Sequence, residues 1–265
     1  MPNYVKTVIH FSDDFDMEAF NLKYIRKNAE GVEFFDFNDL IPMPQGLRDS
    51  KSSSASADGF TLILAAKSPL CKTTLDGVAK LGWKEWLSLM DKIRGPLRGT
   101  AYAAAPLTDE IARQALASFG GDADGLAEGL RLGQLALDNA VAYGSCDWYD
   151  WSRRHWGTKT NALETCASDG DAKDKSVEFQ TAWNHPFPVV AELSRRLPGE
   201  NILVEWDEEC GNSGAYLIRD GAVVESWAPC GEDDCVDFSE HVWNDAGYHD
   251  FALDRLYRIL RPARA

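Results

Sequence analysis

Val177-Glu178-Phe179-Gln180-Thr181-Ala182-Trp183, followed by Pro186-Phe187-Pro188-Val189-Val190-Ala191-Glu192-Leu193 and then Ile202-Leu203-Val204-Glu205-Trp206, reads as strand, helix, strand. Val177, Phe179, Thr181 and Trp183 fall on one side of a period-two pattern, as do Ile202, Val204 and Trp206. Between them Val189, Leu193 and Leu197 recur at helical spacing, prolines 186 and 188 suit a helix start, and Pro198-Gly199 stops it. The N-terminus repeats this order. Val5, Thr7, Ile9 and Phe11 alternate in a first strand, and Ser12-Asp13-Asp14 offers caps for a helix to about Asn28 that carries Phe15, Phe20 and Tyr24. Gly31 ends the helix, and Val32 to Phe37 alternates as a second strand before Pro42 and Pro44.

Two such units give a split β-α-β order. The expectation is an α+β, ferredoxin-like antiparallel sheet with helices on one face. A hairpin extends it, because Ala215–Ile218 and Ala222–Trp227 flank Arg219-Asp220-Gly221, and Asp-Gly is a preferred tight turn. Asp250 then caps a closing helix with a Leu253, Leu256, Tyr257, Leu260 stripe.

Between the halves lies a large helical insertion. Ser50 to Asp58 is rich in Ser, Ala and Lys and reads as a mobile loop. The following Ala- and Leu-rich stretch carries three amphipathic sets: Trp83, Trp86, Leu87 and Met90; Ile111, Ala115 and Leu116; Leu126, Leu130, Leu137 and Val141. The expected organisation is a core of residues 1–49 and 160–227, an insertion at 50–159, and an acidic C-terminal segment at 228–265. Thr165 to Lys175 is polar and reads as a loop.

The insertion ends in Asp147-Trp148-Tyr149-Asp150-Trp151-Ser152-Arg153-Arg154-His155-Trp156-Gly157-Thr158-Lys159-Thr160-Asn161. Trp148, Trp151 and Ser152 have helical spacing, and Gly157 suits the left-handed residue that ends such a helix. Two readings stand side by side. The indoles fill a gap between layers, with Asp147, Asp150 and Asn161 satisfying neighbouring polar groups. Alternatively Trp148, Trp151, His155, Trp156, Lys159 and Asn161 line a binding pocket.

Trp148-Tyr149-Asp150-Trp151, Trp156-Gly157-Thr158-Lys159, Asn161-Ala162, Phe179-Gln180-Thr181-Ala182-Trp183 and Pro186-Phe187-Pro188-Val189-Val190 together resemble the YubB ferredoxin-like family of phage and conjugative-plasmid proteins. Met1-Pro2-Asn3 and Phe37-Asn38-Asp39-Leu40-Ile41-Pro42-Met43-Pro44 fit the same pattern, so the resemblance runs from residue 1 to about residue 227. Thr160 departs from it, standing where the family often has Trp. The resemblance implies a mobile-element origin and a ferredoxin-like core. It implies no reaction and no catalytic residues.

Charge adds a second clue. The chain of 265 residues has a net charge of −15, and residues 205–254 hold fourteen acids against Arg219 alone, a net −13. Glu205, Asp207, Glu208, Glu209, Glu232, Asp233, Asp234 and Asp237 are therefore expected on an acidic, partner-binding face. Such a face disfavours direct nucleic-acid binding, which needs Lys and Arg on phosphates, and suits a host protein or nucleoprotein complex with a basic surface. No stretch approaches the ~20 apolar residues of a membrane span. No basic-then-apolar leader opens the sequence, and the six scattered cysteines read as reduced thiols in a host-cell cytoplasm.

Other chemistry is weakly signposted. Cys210, Cys230, Cys235 and His241 would make a zinc set, but the pair of cysteines separated by two residues is missing, and no metal or cofactor is expected. His155 with Asp147 or Asp150 lacks a nucleophile, and no Gly-rich phosphate loop precedes a Lys-Ser/Thr pair. The expectation is a non-enzymatic mobile-element protein that binds a macromolecular partner, as a counter-defence inhibitor of the anti-CRISPR or anti-restriction kind would. The alternative is a small enzyme or nucleotide-binding protein using the Trp-Gly-Thr-Lys segment.

Overall fold

A computed structural model describes residues 3–51, 53–67, 109–209 and 211–261. In chain order its strands are β1 (Tyr4–His10), β2 (Ile25–Lys27), β3 (Glu33–Phe35), β4 (Leu163–Ala167), β5 (Ser176–Ala182), β6 (Ile202–Glu208), β7 (Ser213–Arg219) and β8 (Ala222–Trp227). The described helices are α1 (Met17–Tyr24), α2 (Gln45–Arg48), α3 (Ser53–Lys67), α4 (Asp109–Ala117), α5 (Ala123–Tyr143), α6 (Trp148–His155), α7 (Phe187–Arg196), α8 (Glu232–Asn244) and α9 (Phe251–Leu260). The chain divides into two compact units, residues 1–42 with 153–265, and residues 43–152.

The first unit is built on a six-stranded antiparallel sheet in the order β4-β5-β1-β6-β7-β8. Its first four strands, with α1 and α7 as the crossovers, are the ferredoxin-like plan, and the β7–β8 hairpin extends it. β1 is central, with Thr7 opposite Phe179 of β5 and Trp206 of β6. The hairpin turns at Asp220 and Gly221, both left-handed (φ +50° and +79°), as the Asp-Gly pair requires.

The second core strand differs from expectation. Glu33–Phe35 pairs with Ile25–Lys27 in a separate two-stranded sheet, so α1 ends at Tyr24 instead of reaching Asn28. The core position belongs to β4, part of which reads in sequence as loop. It is an edge strand with little burial and a register shift between Leu163 and Cys166, so it carries no alternation to betray it. The cap of α1 is Asp16, whose carboxylate accepts from the Ala19 amide at 2.9 Å.

Helices cover both faces of the sheet, not one. Val5, Thr7, Ile9, Val177, Phe179 and Thr181 share one face by register. Over it runs a chain of touching rings through Phe11, Phe20, Phe35 and Phe37, the last two against Phe179. On the opposite face Leu203, Ala215 and Leu217 pack under Phe238 and Val242 of α8 and Leu253, Leu256 and Leu260 of α9. The segment from residue 228 onward thus belongs to this unit and completes its core. Asp250 caps α9 as expected, accepting from the Ala252 and Leu253 amides.

In the second unit the helix Ser53–Lys67 begins inside the stretch Ser50 to Asp58, whose small polar residues suggest a loop. Gly59, Gly129 and Gly133 explain this. A Cβ on Gly133 would lie 1.9 Å from the Gly59 carbonyl oxygen, so α3 and α5 meet backbone to backbone. The buried side of α5 accordingly holds Leu132, Ala136, Leu137 and Ala140, while Val141 is 62% exposed. Trp83, Trp86, Leu87 and Met90 lie outside the described residues.

Gly133→Ala should therefore destabilise this unit by about 1–3 kcal/mol through overpacking, although Ala is the better helix former. Urea denaturation followed by circular dichroism measures it, and a variant as stable as the parent would contradict the close crossing.

Candidate functional site

The aromatic segment forms the expected short helix, and Gly157 follows it with φ +80°. A Cβ there would meet Pro188 Cδ at 2.7 Å. Trp148 and Trp151 belong to the second unit; His155, Trp156, Lys159 and Asn161 belong to the first. Within the first unit these four side chains do separate jobs. Trp156 is 4% exposed, donates from Nε1 to the Ile41 carbonyl at 2.9 Å, and sets its ring edge-on to Phe37. Asn161 Oδ1 accepts from the Phe37 and Ala162 amides while Nδ2 donates to Asp36, which pins the turn after β3. Lys159 Nζ sits 4.9 Å from the Trp183 ring centroid, and His155 is exposed. Thr158, singled out only within the motif, donates to the Ala182 carbonyl at 2.9 Å and ties the segment to the end of β5.

The acidic set divides. Glu205 and Asp207 are 2% and 1% exposed, so they cannot belong to a surface face. They alternate with Val204 and Trp206 along β6 and point beneath α8 and α9, which the sequence offered no reason to place there. Glu209, Glu232, Asp233 and Asp237 are exposed, and Glu208 and Asp234 partly so. Asp233, Asp237 and Glu240 follow helical spacing along the outer side of α8. Glu232, Asp233 and Asp234 also occupy the first turn of α8, whose Gly231 cap supplies no side-chain acceptor, and there their charge complements the helix dipole.

Glu205 is the centre of a buried polar cluster. His10 Nε2 lies 2.9 Å from Oε2, the Tyr257 hydroxyl donates to Oε1 at 2.9 Å, and His241 Nε2 lies 3.4 Å from Oε1. Burial alone would raise the Glu205 pKa, but the hydrogen bonds from His10 and His241 outweigh it and hold the carboxyl at about 2. The bond to Glu205 raises His241 above its ordinary value against the opposing effect of burial. Burial, then the adjacent carboxylate, raises Tyr257. Two residues along β6, Asp207 accepts from Trp243 Nε1 at 2.7 Å and Ser239 Oγ at 2.9 Å, yet burial still raises its pKa.

A second cluster lies on the other face. His185 bridges the Thr7 hydroxyl (3.0 Å, through Nδ1) and the Tyr216 hydroxyl (2.6 Å, through Nε2), and stacks on Trp206 at 5.7 Å. Burial pushes this imidazole down to about 3, so it is neutral, donating to one hydroxyl and accepting from the other. His10, His185 and His241 are far apart in the sequence. Their partners come from strands and helices up to 247 residues away, so no local spacing could reveal them.

Of the zinc set, Cys210 lies outside the described residues, and His241 engages both nitrogens, Nε2 with Glu205 and Nδ1 with the Ala246 carbonyl. Among the described residues no three His, Cys, Asp or Glu side chains group as metal ligands. A shallow depression of about 200 Å³ opens beside β4 and β5, lined by Lys6, Glu164, Gln180 and Trp243; Lys6 is paired there with Glu178 at 2.7 Å.

Part of the chain matches a known family model. Residues 160–249 match the family model of the ferredoxin-like domain in Api92-like protein. The matched span begins just before β4 and runs past α8, so it contains Glu205, Asp207, His185 and His241 but not β1. Among solved structures, protein Api92 from Yersinia pseudotuberculosis aligns over 88% of this chain and 100% of its own, at 14% identity and a TM-score of 0.35. A comparison with curated proteins found no match. Among the described residues no helix is long and apolar enough to cross a membrane.

Glu205→Gln should cost about 2 kcal/mol near neutral pH, because it removes the buried carboxylate that two half-buried imidazoles and the Tyr257 hydroxyl face. The sign with acid follows from the lowered carboxyl. Its contribution is complete above the ordinary carboxylate value of about 4.5, is lost as pH falls towards about 2, and should vanish in the variant. Urea midpoints of both proteins between neutral pH and pH ~3 test this; parallel acid limbs would rule it out.

Proposed function

We propose that this protein is a non-enzymatic binding protein whose exposed acids engage a basic surface on a macromolecular partner. The observation that carries this reading is the state of the carboxylates. Glu205 and Asp207 are satisfied inside the fold, whereas Glu208, Glu209, Glu232, Asp233, Asp237 and Glu240 form no ion pair with Lys or Arg among the described residues. Among the described residues Glu208, Glu209 and Glu240 accept only neutral hydrogen bonds, from Asn3, the Tyr4 amide and Asn244. Surface carboxylates without a cationic partner steer association with one, an attraction that salt weakens. The resemblance to the YubB family supplies the context: a phage or plasmid product acting in the host cytoplasm. There an acidic surface would occupy the nucleic-acid-binding face of a host immune or restriction complex. The Trp-Gly-Thr-Lys segment is a weaker basis for a pocket enzyme, because Trp156, Thr158 and Asn161 each have structural hydrogen bonds.

The test is affinity capture of the tagged protein from a bacterial host, with mass spectrometry, at low and high salt. Recovery of a nucleic-acid-binding complex that high salt removes supports the proposal. Replacing Glu208, Glu209, Asp233, Asp237 and Glu240 by Lys should reduce that recovery at least tenfold with the circular dichroism spectrum unchanged, an effect of about 1.4 kcal/mol or more. Undiminished binding by this variant would eliminate the acidic surface as the contact.

A further inference from the structure

Three of the elements packed around Glu205 present a titratable group to it, His10 from β1, His241 from α8 and Tyr257 from α9, while β7 sets Ala215 opposite it. The geometry at His241 favours its protonated form. Nδ1 lies 2.8 Å from the Ala246 carbonyl oxygen, which only accepts, so Nδ1 carries a proton. Nε2 lies 3.4 Å from Glu205 Oε1, within ion-pair reach of a carboxylate that also only accepts. A bare Nε2 would set a lone pair against an anion. The two contacts together favour a proton on each nitrogen, an imidazolium.

Other charges nearby leave that role to the histidines. No Lys or Arg pairs with Glu205 among the described residues; Lys6 on the same face is held by Glu178, and Arg261 by Asp13 and Asp174. Asp245, at the C-terminal end of α8, adds negative charge that favours the imidazolium, and Tyr248 places its ring 6.2 Å from the His241 ring. Asp207, one alternate position along β6, is bound to Ser239 and Trp243 of the same helix.

We propose that His241 is a proton-operated latch: its imidazolium fastens α8 to the sheet, and loss of the proton lets α8 and α9 leave that face while the strands stay paired. Both helices follow the last strand, so their release breaks no ladder hydrogen bond. The apolar contacts of Phe238, Val242, Leu253 and Leu256 and the bonds from Ser239 and Trp243 to Asp207 resist release at every pH, and the latch adds to them only while His241 is protonated. The raised His241 pKa gives the sign. Stabilisation is complete below the ordinary imidazole value of about 6.5 and is lost as pH rises through the folded value. The inference rests on buried geometry and does not depend on what the exposed acids bind.

Hydrogen exchange of the full chain between about pH 5.5 and about pH 8.5, corrected for intrinsic rates, tests the latch. In the parent protein, opening of α8 and α9 should rise by up to about tenfold per pH unit from about pH 6.5, then level off once His241 has titrated. β1 and β6 should show no such rise. His241→Gln keeps a donor towards Glu205 without titrating, and should flatten the profile. A rise that persists in that variant, or one equal in strands and helices, would overturn the latch. Should the variant fail to fold, nitrogen NMR of the parent decides: both His241 nitrogens still protonated at about pH 7, above the ordinary imidazole value, supports the proposal, and a bare Nε2 there refutes it.

Discussion

A carboxylate taken out of water needs donors, and Glu205 draws them from three separate parts of the chain. His10 lies near the N-terminus, His241 and Tyr257 near the other end, and all three meet on one side of the central strand pair β1–β6. That requirement makes the C-terminal helices part of the core. Without α8 and α9, Leu203, Ala215 and Leu217 would face water, and Glu205 would be an ordinary surface acid.

The two faces of the sheet solve different problems. One is filled by aromatic rings in edge and tilted contact, with Asn161 and Trp156 tying down the connections that cross it. The other mixes an apolar patch with the two buried acids and their donors. Because β1 and β6 are covered on both sides, His185 and Glu205 lie on opposite sides of one sheet, each enclosed. The opposite pKa shifts of the imidazoles follow: His185, between hydroxyls, is pushed down, while His241, beside a carboxylate, is raised.

Much of this was legible in the residues. Strand alternation at Val5 to Ile9 and Val177 to Thr181, the Asp220-Gly221 turn and the Leu253, Leu256, Leu260 stripe all correspond to observed elements. The misreadings share a cause. β4 is an edge strand with no buried alternation, and α3 depends on glycines that let another helix approach. In each case the stabilising partner is remote in sequence.

The acids show the same division. Fourteen of them between residues 205 and 254 are a property of the sequence, and so is the charge they bring. Which of them face water is not. Glu205 and Glu208 are three residues apart in one strand, yet one lies under two helices and the other at the strand's partly open end. The sequence by itself determined most of the elements, the ferredoxin-like order and the net charge, because these depend on local periodicity and composition. Only the tertiary structure decided which carboxylates are neutralised inside and which remain outside, because the desolvation and hydrogen bonding that separate them are supplied by residues far along the chain.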